Sequence, residues 1–417
     1  MSTRVCVVTA GHLSTCPRML KAADALAGAG YDVRVVSANH TAWATAADRQ
    51  VAARRAWAWT AVDYDRTTAR AVQLMTGARF RAAQAMVSAV GPRRVPISIA
   101  IRAFSRIHDE IVRAVTAEPA DFVYGGTTGA LAAVAESAAR LRVPYGIDFE
   151  DFHSGEHGGP ASPGSPGIDI TNALAGRIER YAIGGASWAT AGSPMIADAY
   201  SSTLGVRPIP IHNTFSIGFP EAFERGEGPL RLYWFSQTLG PGRGLEDVIR
   251  AIGIAGGPVE LHLRARSSPS YLETLRARQR ELAPALAIVH HDPASPDDMV
   301  ALAQPYDAGL ACEEPLVRNR QLCLTNKIFT YLAAGLPVVL SRTTAQARLL
   351  PELGGAAFGY DCGDANGLAR VLTLLSSDAG VRQQARCAAR AAATRRWHWE
   401  HPDDRGALLA AVAGAIR

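Results

Sequence analysis

Short apolar segments alternate with longer amphipathic ones along most of the chain, and this alternation constrains the fold more than any other feature. The first segment, Arg4 to Thr9, has a strand pattern and is followed by a turn at Gly11. A helical pattern then runs from about Pro17 to Ala29, and a second strand covers Asp32 to Ala38. The order strand, helix, strand predicts a parallel sheet that is covered by helices on both faces.

The alternation continues through the first half of the chain. A stretch rich in Ala and Arg, from about Arg66 to Val115, predicts helices on both sides of a break at residues 91–96. Strands are predicted at Asp121–Tyr124 and Pro144–Phe149, with a helix between them at about residues 128–140. Two further units, 173–191 and 193–213, complete a first domain. Trp57 and Trp59 alternate as strand residues do, and we expect them to pack in the core.

Residues 150–167 are crowded with Gly, Pro, Ser and acidic side chains, which predicts a long loop. Long loops inside compact domains are commonly functional. This one leaves the carboxyl end of a predicted strand, where α/β sheets bind their ligands. We therefore expect part of a site here.

A second alternation begins near residue 230. Its predicted strands are Leu230–Phe235, Val259–Leu263, Ala287–His290, Ala308–Ala311, Pro337–Leu340 and Ala356–Tyr360. A chain of 417 residues exceeds what one core usually supports, so we expect two α/β domains. Residues 1–215 and 230–399 are the predicted domains, and residues 216–229, rich in Gly, Pro and Glu, are the predicted linker. The repetition of the strand–helix alternation in two domains implies a cleft between them.

Composition excludes several classes of protein. The formal net charge of +5 is modest for this length, which favours anionic small molecules over nucleic acid as partners. Six scattered cysteines indicate neither a disulfide framework nor a zinc site, and they fit a reducing cytoplasm. No leader peptide and no run of about 18 apolar residues is expected. The sequence does not indicate the oligomeric state, and a homodimer is one open alternative.

A Gly-rich turn follows the strand at residues 230–235. It reads Gly240-Pro241-Gly242-Arg243-Gly244, and Leu245-Glu246-Asp247 then opens a helix. Glycines allow a ligand to approach the backbone, and a helix N-terminus beside an arginine is a ready anion site. An ordinary turn is the alternative, because Gly-rich turns before helices are common.

The segment from Leu324 to Val339 is more specific. It predicts a loop, an amphipathic helix that starts near Asn326 or Lys327, a stop at Gly335 and a buried strand. This sequence segment resembles the donor-binding segment of the family 4 retaining glycosyltransferases. Further similarities are Asp307-Ala308-Gly309-Leu310, Gly240 to Ala251, Pro17-Arg18-Met19, Gly30-Tyr31-Asp32-Val33 and Trp399-Glu400.

The resemblance covers most of the chain and implies the GT-B fold, in which two Rossmann-like domains face each other. It implies that the first domain binds the acceptor and the second binds a nucleotide-sugar donor. It also implies that the last helix, within residues 400–417, crosses back to the first domain. The donor is a substrate, so no cofactor and no metal are expected.

The resemblance further assigns site residues. Arg243 would contact the donor diphosphate and stabilise the leaving group, together with Gly242 and the backbone N–H groups at a helix N-terminus. The implied set for the diphosphate is Gly242, Arg243, Leu324, Thr325, Asn326 and Lys327. The set implied for the donor sugar is Glu313, Glu314, Leu322 and Cys323. The set implied for the base and ribose is Gln237, His291, Asp292 and Thr330.

Three positions depart from the family pattern. Thr330 stands where an acidic residue usually reaches the ribose, and Leu322 stands where another usually lies near the sugar. Gln237 occupies the place of a further arginine. Donor binding must therefore differ in detail from that of the family, and a repurposed or inactive member stays open.

The first domain supplies the other predicted site residues. The segment from Asp148 to Glu156 is similar to one that places a histidine near the donor sugar, which implies catalytic roles for His153 and Asp151. A loop with merely solvated charges is the alternative. Gly11 and His12 follow the first strand and are predicted on the acceptor side.

Two other features are interpreted as structural. His290 and His291 are adjacent strand residues, which point to opposite faces and lack further metal ligands. The arginines of residues 66–115 could form a surface that docks on anionic lipid, but ordinary solvated helix faces are the favoured interpretation. Membrane association is accordingly not favoured.

The resemblance implies a metal-independent hexosyltransferase that retains anomeric configuration. The missing acidic residues fit an acceptor that is already nucleophilic, such as a thiol, which suggests S-glycosylation of a small molecule in antibiotic biosynthesis. Three alternatives remain: a cell-envelope glycosyltransferase with a lipid-linked acceptor, a sugar-nucleotide epimerase, and a noncatalytic nucleotide-sugar-binding homologue.

Overall fold

The computed structural model describes residues 2–158, 166–219 and 228–417. The described chain divides into two compact units. Unit 1 comprises Met1–His212, Val317–Asn319 and Pro402–Arg417, and unit 2 comprises Asn213–Leu316 and Arg320–His401. Residues 159–165 of the predicted loop and residues 220–227 of the predicted linker lie outside the described residues.

Unit 1 contains a seven-stranded parallel sheet with helices α1 to α8, and the C-terminal helix α17 (Ala407–Ile416) joins it. The strands are β1 (Arg4–Thr9), β2 (Asp32–Asn39), β3 (Ala58–Asp63), β4 (Phe122–Gly126), β5 (Tyr145–Asp148), β6 (Trp188–Ala191) and β7 (Ile209–Pro210). The helices are α1 (Pro17–Gly28), α2 (Ala42–Ala52), α3 (Arg70–Val90), α4 (Ile97–Phe104), α5 (His108–Thr116), α6 (Thr128–Leu141), α7 (Pro166–Ile183) and α8 (Pro194–Leu204). The strand order is β3-β2-β1-β4-β5-β6-β7.

Unit 2 contains a six-stranded parallel sheet. Its strands are β8 (Leu230–Thr238), β9 (Val259–Arg266), β10 (Leu286–His291), β11 (Ala308–Ala311), β12 (Val338–Ser341) and β13 (Ala357–Tyr360), in the order β10-β9-β8-β11-β12-β13. Its helices are α9 (Leu245–Ala255), α10 (Pro269–Leu282), α11 (Met299–Ala303), α12 (Arg318–Leu322), α13 (Asn326–Ala333), α14 (Thr344–Leu353), α15 (Ala365–Ser377) and α16 (Ala379–Arg395). α12 begins within residues 317–319, which belong to unit 1.

Both faces of the second sheet are buried. Along β8, Leu232 and Trp234 pack in one apolar cluster, whereas Tyr233 and Phe235 pack in another. Successive strand residues point to opposite faces, so each cluster fills one side of the sheet. This arrangement explains why the strands read as continuous apolar runs.

Local signals in the sequence set the ends of several helices. The Ser193 hydroxyl accepts a hydrogen bond from the backbone N–H of Ile196 (3.1 Å), and Pro194 occupies the first turn of α8. Gly205 ends this helix with φ +73°. Asp364 caps α15 through the backbone N–H of Gly367 (2.9 Å).

The C-terminal segment belongs to unit 1. Helix α17 (Ala407–Ile416) packs on α1, and the buried Asp404 accepts a hydrogen bond from the backbone N–H of His212 (2.7 Å). A last helix that returns to the first domain was implied by the resemblance, and the structure confirms it. Trp57 is buried and its indole donates to Asp24 (2.8 Å), whereas Trp59 is half-buried at the start of β3.

The fold requires a glycine at position 244. Its φ of +71° lies in the left-handed region, and a Cβ would lie 2.6 Å from the carbonyl oxygen of Cys312. The close approach joins the loop after β8 to the loop after β11.

We predict that Gly244→Ala destabilises the protein by roughly 1–3 kcal/mol more than Gly256→Ala, because it adds a steric overlap to the strained φ. Gly256 is the matched control, since its φ is +69° and nothing lies within 4 Å of its Cβ position. Urea unfolding measures both changes. Equal losses would show that the approach to Cys312 is not tight.

Candidate functional site

The central feature of unit 2 is the point where its strand order reverses. β8 lies between β9 and β11, so the chain winds outward in one direction from β8 to β10 and in the other from β11 to β13. Doubly wound sheets bind ligands beyond the carboxyl ends of the strands at this reversal, so the loops after β8 and β11 are the candidate site. The first loop carries Gly242 and Arg243, and the second carries Glu313 and Glu314.

The two loops are tied together by the backbone of Gly244. Its N–H donates to the Glu314 carboxylate (2.9 Å), and this bond lies at the N-terminus of α9. A carboxylate is a favourable partner for a helix N-terminus because the helix dipole places partial positive charge there. Glu314 thus occupies a position that suits an anion.

A buried carboxylate organises the cations of the site. Glu313 is 3% exposed, and its Oε1 accepts a hydrogen bond from the ammonium of Lys327 (2.6 Å). Its other oxygen accepts from Arg320. The Lys327 ammonium also lies 5.7 Å from the centre of the Trp234 ring. The long side chains of Arg320 and Lys327 are thereby held at one place.

The carboxyl group of Glu313 is charged at neutral pH. Burial by itself raises the pKa of Glu313, but Lys327, Arg320 and Arg243 outweigh burial and lower it to about 2. Burial lowers the pKa of Arg243, and the charge of Arg320 lowers it further. Arg243, Arg320 and Lys327 thus place three cations around Glu313, and cations attract anionic ligands.

Helix α13 adds a second source of positive potential. It has eight residues, and Thr325 precedes it in an extended conformation without a side-chain cap. Its first backbone N–H groups, around Asn326 and Lys327, therefore have no side-chain cap from Thr325 and carry the positive end of the helix dipole. The predicted diphosphate residues of the two loops thus meet at the strand reversal, except that the Lys327 side chain is already paired with Glu313.

Thr330 is predicted to contact the ribose, but its side chain has a different partner in the structure. Its side chain is fully buried, and its hydroxyl donates to the backbone carbonyl of Asn326 (3.0 Å). A hydroxyl that bonds four residues back in its own helix would have to leave that bond to reach a ribose. The structure therefore gives Thr330 a role inside α13.

The other predicted donor residues are spread along the carboxyl edge. Leu322 and Cys323 are half-buried in the segment that leads from α12 into α13. Gln237 is exposed near the end of β8. His291 ends β10, where its Nε2 lies 2.9 Å from Nδ1 of His262, and the Asp292 carbonyl accepts from Arg264 (2.8 Å). β10 is the outer strand on this side, so these two residues are separated from the cation cluster by β9 and β8.

Arg320 is a site residue that sequence reasoning missed. The resemblance places Gln237 where the family has a further arginine, and it assigns no role to Arg320. The available signal was position: Arg320 lies in α12, within the segment between β11 and α13 that also holds Glu313 and Glu314. Polar residues after a strand beside the reversal of strand order are candidates for binding.

Unit 1 repeats the same topology, and its reversal lies between β1 and β4. His12 follows β1 there and is 4% exposed. The backbone N–H of His40 donates to Nε2 of His12 (3.2 Å), so Nδ1 carries the proton and donates to Asp48 (2.7 Å). Both ring nitrogens of His12 are therefore hydrogen-bonded, and they tie the loop after β1 to Asp48 and to the backbone of His40. Gly11 is half-buried beside it.

The end of β5 is held by a buried ion pair. Asp148 accepts two hydrogen bonds from Arg18, one of them at 2.9 Å, and a third from the Thr190 hydroxyl (2.7 Å). Arg18 also donates to the backbone carbonyl of Ile211 (2.6 Å). Glu150 follows with φ +52°, and burial together with the nearby Asp151 raises its pKa to about 7. A strained non-Gly residue in this position is typical of functional sites.

His153 lies beyond this turn and is the most distinctive residue of unit 1. It is 5% exposed, its Nδ1 lies 2.5 Å from the Glu156 carboxylate, and its buried Nε2 has no partner among the described residues. Burial alone lowers the pKa of His153, but Glu156 and Asp151 raise it to about 9. At neutral pH the imidazolium therefore presents an N–H donor without an acceptor, which is an arrangement that suits a ligand oxygen.

Asp151 contributes mainly through its backbone and charge. Its carbonyl accepts from the Tyr200 hydroxyl (3.0 Å), and the same hydroxyl donates to Glu179 (2.8 Å). The backbone N–H of Phe152 donates to Asn319 (2.8 Å), which also belongs to unit 1. The loop at residues 150–156 is thus a fixed structure and not a string of solvated charges.

No group of three or more metal-ligating side chains occurs within residues 2–158, 166–219 and 228–417. His290 donates to the backbone carbonyl of Ala265 (2.9 Å), whereas His291 contacts His262, so the two adjacent histidines point to different partners. The predicted metal independence stays a prediction.

We predict that Glu156→Gln flattens the pH dependence of stability between pH 6.5 and about 9. The folded pKa of His153 lies above its ordinary value of 6.5, so its charge stabilises the fold fully below pH 6.5. That contribution is lost as the pH rises to about 9. Urea unfolding over this range should show that the wild type loses more stability than the variant. Glu273→Gln, which removes an exposed partner of Arg276, is the control and should leave the slope unchanged. A constant difference between wild type and Glu156→Gln would contradict the assignment.

Comparison with known proteins places the fold. No family model matches the chain, and no curated protein matches it. Among solved structures, HepE from Anabaena in complex with UDP-glucose is similar over 99% of both chains, with 14% identity and a TM-score of 0.67. A sucrose-phosphate synthase from Thermosynechococcus elongatus is similar over 100% of both chains, with 11% identity and a TM-score of 0.63.

A glycosyltransferase from Rickettsia africae is similar over 100% of this chain and 98% of its own, with 10% identity and a TM-score of 0.62. Identities this low establish the fold alone. The predicted fold class is thereby confirmed: the chain has the α/β GT-B fold, with two parallel sheets.

Proposed function

We propose that this protein is a glycosyltransferase that uses a nucleoside diphosphate sugar as donor. The observation that carries the proposal is the cation cluster of Arg243, Arg320 and Lys327 at the strand reversal of unit 2, beside the open N-terminus of α13. A diphosphate is a ligand of matching charge for such a cluster. Similar solved structures include a complex with UDP-glucose, which supports the same donor class.

The chemistry follows from the charge that develops on the leaving group. In the proposed reaction the bond between the anomeric carbon and the diphosphate oxygen breaks, and the acceptor heteroatom bonds to the same carbon with retention. Arg243 and the N–H groups of α13 stabilise the departing diphosphate, which takes up the acceptor proton. The fixed cations perform this role without a metal, and no dedicated base is required.

His153 is the proposed contribution of unit 1. Its protonated Nε2 would donate to an oxygen of the donor sugar, and Glu156 would hold the ring in place. Asp151 would support the charge of His153. These roles rest on the unsatisfied donor and on the resemblance of residues 148–156.

The proposed acceptor is a small molecule, bound on the side of Gly11 and His12. A nucleophilic acceptor such as a thiol would need no acidic residue at Leu322 or Thr330, which are both uncharged. S-glycosylation in antibiotic biosynthesis therefore stays the specific prediction for the acceptor, and hexosyl transfer stays the prediction for the donor.

The first test is thermal unfolding with GDP, UDP, dTDP and ADP in the absence of metal. A ligand that binds the native state stabilises it by about 2.7 kcal/mol at a hundredfold excess over its dissociation constant. We predict that one nucleotide raises the midpoint for the wild type and fails to do so for Arg243→Ala and Arg320→Ala. Arg250→Ala is the matched control, because Arg250 is an exposed arginine of α9 that pairs with Asp247.

Turnover distinguishes an enzyme from a noncatalytic homologue. The matching nucleotide sugar, incubated with the wild type and a panel of thiol and hydroxyl acceptors, should release the nucleoside diphosphate, and Arg243→Ala should release at least tenfold less. Binding without release on any acceptor would favour the noncatalytic homologue. No shift with any nucleotide would contradict the proposed donor class.

A further inference from the structure

One carboxyl group at the carboxyl edge of unit 1 has no partner in the described part of the chain. Glu150 follows β5 and is half-buried. Its backbone N–H donates to Asp148 (3.2 Å), but its side chain makes no hydrogen bond and no ion pair with any described residue. A half-buried carboxylate that lacks both is costly, so this side chain points to a ligand.

The fold holds the backbone of Glu150 in one conformation. Its φ of +52° lies in the left-handed region, which residues other than glycine rarely adopt. The carbonyl of Glu150 accepts a hydrogen bond from the backbone N–H of Gly192 (2.8 Å), and a Cβ at position 192 would lie 2.6 Å from this oxygen. A glycine at position 150 would relieve the strain, yet the chain carries a glutamate there. Strain that is kept in this way is typical of binding sites.

Helix α1 supplies two cations near Glu150, and the charge of Glu150 acts on both of them. Arg18 is engaged by Asp148, which accepts two of its hydrogen bonds. Burial and the charge of Arg18 lower the pKa of Lys21 to about 7, so about half of the Lys21 side chains are neutral at that pH. Neither residue therefore supplies a full counter-charge for Glu150.

The loop that carries Glu150 also carries a second group without a partner. Burial and the charge of Asp151 raise the pKa of Glu150 to about 7, against the opposing charges of Arg18 and His153. His153 contacts Glu156 through Nδ1, and its buried Nε2 has no partner among the described residues. One loop thus presents a carboxylate and an N–H donor. This pair suits a ligand that combines a cation with an oxygen acceptor.

We propose that Glu150 binds a protonated amine of a substrate, beside the substrate oxygen that His153 contacts. An ammonium supplies the missing counter-charge, and its charge-assisted hydrogen bond is roughly twice as strong as one from a neutral hydroxyl. A metal ion is the poorer occupant because it needs several ligating side chains, and no group of three occurs in the described ranges.

The amine site rests on the proposed function and names the substrate class for it. The ammonium belongs either to an amino-substituted sugar on the donor or to a small acceptor that carries an amine. Both substrates of the proposed reaction meet at the carboxyl edge of unit 1, so the two sources share one chemistry at Glu150.

The first arm of the test examines the donor. The full chain is titrated by calorimetry at pH 7.5 with the nucleoside diphosphate that stabilises it most, and with the glucosamine and glucose conjugates of that nucleotide. If the donor carries the amine, the wild type should bind the glucosamine conjugate at least tenfold more tightly than the glucose conjugate. Glu150→Gln should bind the two conjugates equally.

The second arm examines the acceptor and uses no nucleotide. Cysteamine and 2-mercaptoethanol have similar size, and they differ in an ammonium against a hydroxyl. A tenfold preference for cysteamine that Glu150→Gln abolishes would assign the amine to the acceptor. Nucleotide binding without an amine preference in either arm would overturn the amine site and leave the donor class standing. An amine preference without nucleotide binding would contradict the donor class alone, and neither kind of binding would contradict both.

The pH dependence separates Glu150 from Lys21, which titrates in the same range. Glu150 is charged above about pH 7 and neutral below it, so the preference for the amine probe should fall about tenfold from pH 8 to pH 6. Cys16, Arg18, Asp148, Asp151 and His153 are the other titratable groups that its charge acts on or that act on it. A pH dependence that persists in Glu150→Gln would assign the effect to these groups and overturn the proposal.

Two further variants complete the test. Glu150→Gly also removes the carboxyl group and suits the φ of +52°, so it folds even if Glu150→Gln does not. It should lose the amine preference equally, and a preference that survives in it would contradict the proposal. Glu273→Gln is the matched control, because Glu273 is an exposed partner of Arg276 in unit 2, and it should keep the preference of the wild type.

Discussion

The buried carboxylate of Glu313 is the interaction on which the second unit's site depends. It stands at the end of β11, where the strand order reverses, and its two oxygens hold Arg320 and Lys327 at one place. Without it, Lys327 would be a buried ammonium lacking its carboxylate partner, which is costly. Because these cations keep the pKa of Glu313 near 2, the carboxylate stays charged throughout the physiological range. The site is therefore preorganised: its cations are held in position before any anion arrives, and the ligand does not have to order them.

Unit 1 uses the same principle with a different residue. Glu156 contacts His153, and because of that contact His153 stays charged although it is buried. The Arg18–Asp148 pair anchors the strand end from which this loop departs. In both units a buried ion pair positions a donor at the carboxyl edge of a parallel sheet. The carboxyl edge of unit 2 thus holds the cations around Glu313, and that of unit 1 holds the unsatisfied Nε2 donor of His153.

The fold could be predicted from the sequence in considerable detail, because parallel strands are buried on both faces and leave continuous apolar runs. All six predicted strands of the second unit are present, and Ala308–Ala311 has the predicted bounds. The site was harder to predict. Lys327 was assigned to phosphate, but its pairing with Glu313 depends on two loops that are adjacent only in the folded sheet. The resemblance implies that Thr330 contacts the ribose, but its hydroxyl bonds to the backbone carbonyl of Asn326 in the same helix. The residue type alone does not reveal which of these partners a threonine takes.

The central claim is that the strand reversal of unit 2 binds the diphosphate of a nucleotide sugar. The most direct measurement is an experimental structure of the protein with the nucleoside diphosphate that stabilises it most. The account predicts phosphate oxygens within hydrogen-bonding distance of Arg243 and of the first backbone N–H groups of α13, with the Glu313–Lys327 pair intact. A nucleotide bound elsewhere on the chain, or phosphates that avoid Arg243 and the N-terminus of α13, would contradict it.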